Sequence, residues 1–243
     1  PSKFEPIFYL MTSRKMTTKR GANAFKSGME FEGGLLQTLK RTYDIENGDC
    51  LCAFDAVGAG AGEGIDVPFH FRGGSYGLEA KTLNASEGGQ RKFTLVNDVL
   101  QLPDDERTKI HRALLPENFV LWDGKVPSFM KGDRSQETWN KESASFRDVY
   151  VTASPTTIAE FYKKKGTHYI QIEGKGLYHT GTDPCNFGVP LFSCASRLRI
   201  RCKRHHGSVP GTVMAALNYN KNTLPNSPFC LMNGPLPPTI ARL

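Results

Sequence analysis

Residues 65 to 83 constrain the fold more tightly than any other stretch of the chain. Ile65-Asp-Val-Pro-Phe-His-Phe71 alternates in the manner of a β-strand, Arg72-Gly-Gly-Ser-Tyr76 has the composition of a turn, and Gly77-Leu-Glu-Ala-Lys-Thr-Leu83 reads as the returning strand. Side chains on a strand alternate between faces, so Glu79 and Lys81 project to one side while Leu78, Ala80 and Thr82 project to the other. Asp66, near the start of the first strand, can then approach Glu79. The hairpin gathers two acids and an amine.

A second acid pattern lies upstream. From Gly21 to Thr42 the apolar residues Phe25, Met29, Leu36 and Leu39 recur at helical spacing, and Glu32 falls within their stripe. Met29 and Leu36 lie within about 60° of Glu32 around the helix, whereas Glu30 is turned roughly 200° away and is expected to face solvent. A buried carboxylate is costly unless a cation or hydrogen bonds compensate, so Glu32 is expected either in an ion pair at the core edge or beside a metal. Gly33 and Gly34 each weaken the helix by about 1 kcal/mol relative to alanine.

The remainder reads as one α/β domain of 243 residues. Cys50 to Phe54 is a plausible strand, and Gly58 to Gly64 is a flexible loop at the mouth of the hairpin. It is no phosphate loop, since no Gly-Lys-Ser/Thr ending or helix follows. Residues 94 to 102 suit strand and helix equally. Asp104 to Leu115 is expected to be helical, Phe119 to Trp122 a strand, and 124 to 147 a polar insertion. Ser154-Pro155 opens a helix that Gly166 closes, and a hairpin around Gly174 and Gly176 follows. The Pro-rich stretch from Pro225 to Pro238 is expected to drape irregularly over the surface.

Charge narrows the partner class. A net charge of +7 favours polyanions, and nucleic acid leads among them. Arg14, Lys15, Lys19 and Arg20 lie in a stretch without acids that reads as a basic arm or a merely solvated segment. Arg91 and Lys92 follow the hairpin closely enough to touch a phosphate. In Arg197 to Lys203 basic and apolar residues alternate, so Arg197, Arg199, Arg201 and Lys203 share one face, either as a nucleic-acid contact or as the solvated side of an edge strand. No apolar run reaches the roughly 20 residues of a membrane span, and the first residues lack the layout of a secretory signal, so an intracellular protein is expected. Six sparse cysteines without Cys-x-x-Cys suggest free thiols. Cys194, Cys202, His205 and His206 offer zinc-ligand types at a spacing that fits no common zinc site. His70 and His111 have no nucleophile partner and read as structural.

Glu32 on a helix, with Asp66 and Glu79-Ala80-Lys81 on a hairpin, resembles the PD-(D/E)XK nuclease superfamily. Ile65-Asp66 stands where that family's name has Pro-Asp. The resemblance covers roughly residues 25 to 85, and the later helix and hairpin are compatible with the family's α/β core. It implies a central mixed β-sheet flanked by helices, a restriction-endonuclease-like core with C-terminal β additions. The expected layout is a basic arm at 1–21, a catalytic core at 22–183 and a basic strand with a Pro-rich segment at 184–243. It further implies a Mg²⁺-dependent endonuclease acting on DNA, with Mn²⁺ able to substitute and duplex as the expected partner. Asp66 and Glu79 would be metal ligands, the Ala80 carbonyl an extra oxygen ligand, Glu32 a direct or water-mediated ligand, and Lys81 the residue that orients or helps deprotonate the water. Asp55 is the alternative to Asp66. RNA cleavage at the same site, non-catalytic binding of nucleic acid, and a surface salt bridge for Asp66, Glu79 and Lys81 remain the competing readings. A homodimer suits cleavage of two strands, although no self-complementary surface is legible.

Overall fold

The computed structural model describes residues 19–43, 65–71, 73–133, 135–203 and 211–231. The expected strand at Cys50 to Phe54, Asp55, the glycine loop, Arg14, Lys15, His205 and His206 lie outside these residues, as do the side chains of Lys19, Arg20 and His70.

In chain order the elements are helix α1 (Lys19–Tyr43), strands β1 (Val67–Phe71), β2 (Gly74–Lys81), β3 (Glu87–Lys92), β4 (Thr94–Val96) and β5 (Val99–Gln101), and helices α2 (Lys109–Leu114) and α3 (Gln136–Glu142). Strand β6 (Val149–Ala153), helix α4 (Thr157–Lys164) and strands β7 (Tyr169–Ile172), β8 (Gly176–His179), β9 (Ser196–Lys203) and β10 (Thr212–Tyr219) follow. The chain is thus mixed α/β. One sheet has the order β1-β2-β7-β8, with β2 and β7 parallel and the other pairs antiparallel. A second, antiparallel sheet has the order β3-β10-β9-β6.

The first sheet is covered on both faces, which explains why Gly77 to Ala80 and all of β7 are buried. One face packs Leu78, Ala80 and Tyr169 against Phe31 and Leu35 of α1 and against Phe187, Phe229 and Leu231. On the other, Ile170, Ile172 and Tyr178 meet Ile158, Ala159 and Tyr162 of α4, together with Leu198, Ile200, Val213 and Leu217 of the second sheet. Pro68 is tolerated in β1 because that strand lies at the sheet edge. Gly77 is required where β2 meets the turn after α4: a Cβ there would lie 2.8 Å from the Gly166 carbonyl oxygen.

Several local expectations change. Helix α1 runs unbroken through Gly33 and Gly34, but Met29 is 54% exposed, and among the described side chains Phe31 and Leu35 form the buried face. Residues 94 to 101 form a hairpin whose turn residues Asn97 and Asp98 both take left-handed backbone angles. The expected helix from Asp104 shrinks to α2, because Asp105 and Thr108 bond each other in a turn ahead of it. In place of the expected strand at Phe119 to Trp122, Leu121–Gly124 forms a 3₁₀ turn with left-handed angles at Trp122 and Asp123. The 124 to 147 segment contains α3 and buries Phe129 and Phe146. Phe229 and Leu231 are core residues, so this end of the Pro-rich stretch is anchored through the first core.

Candidate active site

The hairpin forms in the expected register. Val67 pairs with Leu78, which sets Asp66 across from Glu79, and an Asp66 side-chain oxygen accepts the Ala80 backbone N–H at 3.1 Å. Glu79 is buried, with its side chain only 3% exposed, and it bonds Lys81 through Oε1. Lys165 completes the group. Its Nζ lies 2.9 Å from Glu79 Oε2 and 4.0 Å from Asp66 Oδ1. Both ammonium groups stand over the Tyr162 ring, Lys81 at 5.6 Å and Lys165 at 5.7 Å from its centroid.

Helix α4 fixes the second lysine. Gly166 takes a left-handed backbone, and the Thr167 N–H returns to the Tyr162 carbonyl at 2.9 Å, ending the helix at the position Lys165 occupies. The N-cap is Thr156 rather than the expected Ser154, which lies two residues earlier and accepts the Thr156 N–H at its Oγ. From there the parallel pairing of Glu79 with Ile170 brings the end of α4 alongside β2.

The charges in this group do not balance comfortably. Burial lifts Asp66, the neighbouring Glu79 charge lifts it further, and its carboxyl is pushed up to about 6 despite Lys81 and Lys165. Burial would lift Glu79 too, but Lys81 and Lys165 outweigh it and hold that carboxyl below its ordinary range. Burial works against the charge on Lys81, yet the Tyr162 hydroxyl, Glu79 and Asp66 keep its ammonium well above the ordinary lysine range. Burial also raises Glu32, whose field is shared with Lys81, Glu79 and Lys165. Helix α1 therefore delivers Glu32 to the same electrostatic neighbourhood. Glu30 points away, with its side chain 65% exposed and within 3.6 Å of Lys26.

No family model, curated protein or solved structure matches the chain.

Of the expected site residues, Asp66, Glu79, Ala80 and Lys81 thus come together, and Glu32 shares their electrostatic field. Among the described residues, the expected basic contacts do not join them. Arg199 is bonded to Glu87 at 2.7 Å and Asp148 at 2.6 Å, and Arg201 to Glu87 at 2.7 Å. Arg197 stacks 3.9 Å over the Tyr150 ring, and Lys203 reaches Gln90. Strand β9 alternates as expected but lies inside its sheet between β10 and β6, so it is not an edge strand. Arg91 bonds the Arg107 carbonyl, whereas Lys92 is exposed. His111 is structural: fully buried, bonded to the Gly89 carbonyl, and pushed down by burial to about 4. Cys194 and Cys202 are free thiols. No helix among the described residues is long and apolar enough to cross a membrane.

Lys165 and Tyr162 are the site residues that the motif did not reveal. The signal for them is helical: Ile158, Tyr162 and Lys165 stand at i, i+4 and i+7, so Lys165 lies on the apolar stripe of α4, as Glu32 was expected to lie on that of α1. A charged residue within a buried stripe was the shared clue.

Proposed function

We propose that the chain is a metal-dependent endonuclease that hydrolyses phosphodiester bonds in DNA, built on a restriction-endonuclease-like core. The observation that carries this is the adjacency of Asp66 and Glu79 on neighbouring strands, with Lys81 bonded to the same buried carboxylate. Support for the core comes from helix α1 ahead of the β1–β2 hairpin, and from α4 leading into β7 parallel to β2.

The donor set fits a hard divalent cation such as Mg²⁺ or Mn²⁺. Asp66, Glu79 and Glu32 offer only oxygen ligands, and burial leaves Asp66 and Glu32 poorly solvated as anions, a cost that a bound cation would offset. Among the described residues no three acidic, histidine or cysteine side chains yet lie close enough to enclose a metal, and both Glu79 oxygens are held by lysines. Asp66 and Glu79 would hold the ion, with the Ala80 carbonyl and Glu32 nearby. A bound cation would lower the pKa of a water and neutralise phosphate charge.

The chain's own groups do the rest. Lys81, kept cationic against Glu79 and Tyr162, donates to a water or a phosphate oxygen and stabilises charge that develops there. Tyr162 is buried and forms an apolar wall that keeps bulk water from screening this group. The net positive charge draws the polyanion to the molecule, and exposed Lys92 and Arg197 are available to its backbone. Cutting both strands of a duplex calls for a second copy of the site, which a homodimer would supply.

Incubation of the purified protein with labelled duplex DNA and RNA, with Mg²⁺ or Mn²⁺, tests the proposal. Metal-dependent DNA cleavage is expected, with Lys81→Ala abolishing cleavage while DNA binding persists. RNA cleavage alone would reassign the substrate. Binding with a log-log salt slope of about −0.9 per phosphate and no cleavage would make the chain a binding protein.

A further inference from the structure

Lys165 holds a position that a divalent cation would need. Glu79 offers two oxygens: Lys81 bonds Oε1 and Lys165 bonds Oε2, the latter at 2.9 Å. The two ammonium groups flank the same carboxylate above the same tyrosine ring. Lys165 Nζ is also 4.0 Å from Asp66 Oδ1, so it stands between the two acids placed as ligands.

A charge count shows what must follow when a cation enters. Ionised Glu32, Asp66 and Glu79 sum to −3, and Lys81 and Lys165 to +2, leaving −1. A divalent ion added to this group makes the sum +1, in surroundings that screen charge poorly. One ammonium group then gains by leaving Glu79 for an anion that arrives with the substrate.

The two lysines differ in their freedom to do so. Lys81 is part of β2, where it pairs with Ile172 of β7 and its carbonyl accepts the Glu173 N–H at 2.9 Å. Lys165 caps a helix end, where Gly166 ends the regular backbone, and reaches the acids through a flexible four-carbon stem. We infer that Lys165 is a displaceable counter-ion: it neutralises Glu79 in the metal-free protein, yields that carboxylate to the divalent cation, and then binds a phosphate oxygen of the nucleic acid.

This inference rests on the proposed metal-dependent chemistry, and one experiment separates the two. Mn²⁺ is titrated calorimetrically into wild type, Lys165→Met and Lys165→Gln, and single-turnover cleavage of duplex DNA is followed at saturating Mn²⁺. Removing the competing ammonium should tighten Mn²⁺ binding by about tenfold in both variants. Loss of the phosphate contact should slow cleavage by at least about tenfold. Lys165→Arg, which keeps the charge, should stay near wild type in Mn²⁺ affinity and recover part of the rate. Unchanged or weaker Mn²⁺ binding in Lys165→Met and Lys165→Gln, with wild type binding and cutting normally, would overturn the counter-ion role alone. A tightened Mn²⁺ affinity with an unchanged rate would overturn the phosphate contact. A wild type that neither takes up Mn²⁺ nor cuts DNA would overturn both this inference and the proposed function. Lys165→Gln keeps a hydrogen-bond donor to Glu79, so the test survives if Lys165→Met fails to fold.

Discussion

Two clusters in this molecule have the same formula, two carboxylates and two cationic side chains, and opposite character. Glu87 and Asp148 with Arg199 and Arg201 lie on the outward side of the second sheet, with planar guanidinium groups meeting carboxylates at 2.6 to 2.7 Å and side chains 12 to 31% exposed. Asp66 and Glu79 with Lys81 and Lys165 lie between β1, β2 and α4, and Glu79 there is nearly sealed from solvent. Arginine forks can satisfy several carboxylate oxygens at once and hold them rigidly, whereas lysine acts as a point charge on a mobile stem. The first cluster is internally satisfied and reads as a brace across β3, β9 and the start of β6. In the second, burial and the neighbouring Glu79 charge keep Asp66 well above the ordinary range of an aspartate despite the two lysines.

The comparison breaks most visibly in activity. Glu79→Ala should abolish metal-dependent cleavage, and it should also destabilise the fold by about 3 kcal/mol, because Lys81 and Lys165 would lose their buried partner. Chemical denaturation beside the cleavage assay reads both effects. Removal of Asp66 should act in the opposite direction on stability. Its native carboxyl holds a proton up to about pH 6, which the unfolded chain releases near 4, so metal-free stability falls as pH rises through that window and is level above it. At pH 7 Asp66→Asn should therefore stabilise the metal-free protein by about 2 to 3 kcal/mol, with the gain vanishing below about pH 4. Glu79, held low by the lysines, contributes with the opposite sign: its stabilisation is lost as pH falls. The difference between wild type and Asp66→Asn, measured by urea unfolding from pH 4 to 8, isolates Asp66. A constant difference would remove the contrast between the clusters.

The brace should respond differently. Glu87→Ala takes a partner from both arginines, Arg199 keeping Asp148, and should cost about 1 to 3 kcal/mol in thermal unfolding, with no change in Mn²⁺ affinity. Smallest of all, Glu30→Ala on the exposed side of α1 should change stability by no more than about 0.5 kcal/mol and leave cleavage intact, whereas Glu32→Ala should slow it.

Much of the site was legible because it is local. The period of two fixes Asp66, Glu79 and Lys81 on one hairpin once the turn is found, and the helical period separates Glu32 from Glu30. The same helical arithmetic misplaced Met29, since a helix whose apolar residues spread around its circumference does not announce which side meets the sheet. Strands β3 and β6 went unseen because their sequences carry little alternation of their own and are held by β10 and β9, more than a hundred and about fifty residues away respectively. That pairing also explains the fate of the basic stripe: alternation revealed the face of Arg199 and Arg201, but not that Glu87 and Asp148 would be brought to meet them. Lys165 lay in plain view in a run of three lysines. Only its register with Ile158 and Tyr162 distinguishes it from Lys163 and Lys164.

The two clusters can be set against each other in a single assay: Mg²⁺-dependent cleavage of supercoiled plasmid by wild type, Glu79→Ala and Glu87→Ala under identical conditions. Wild type and Glu87→Ala should both cut, and Glu79→Ala should not, even where it binds the DNA. Cleavage by Glu79→Ala at the wild-type rate would contradict the assignment of the buried cluster as the catalytic centre.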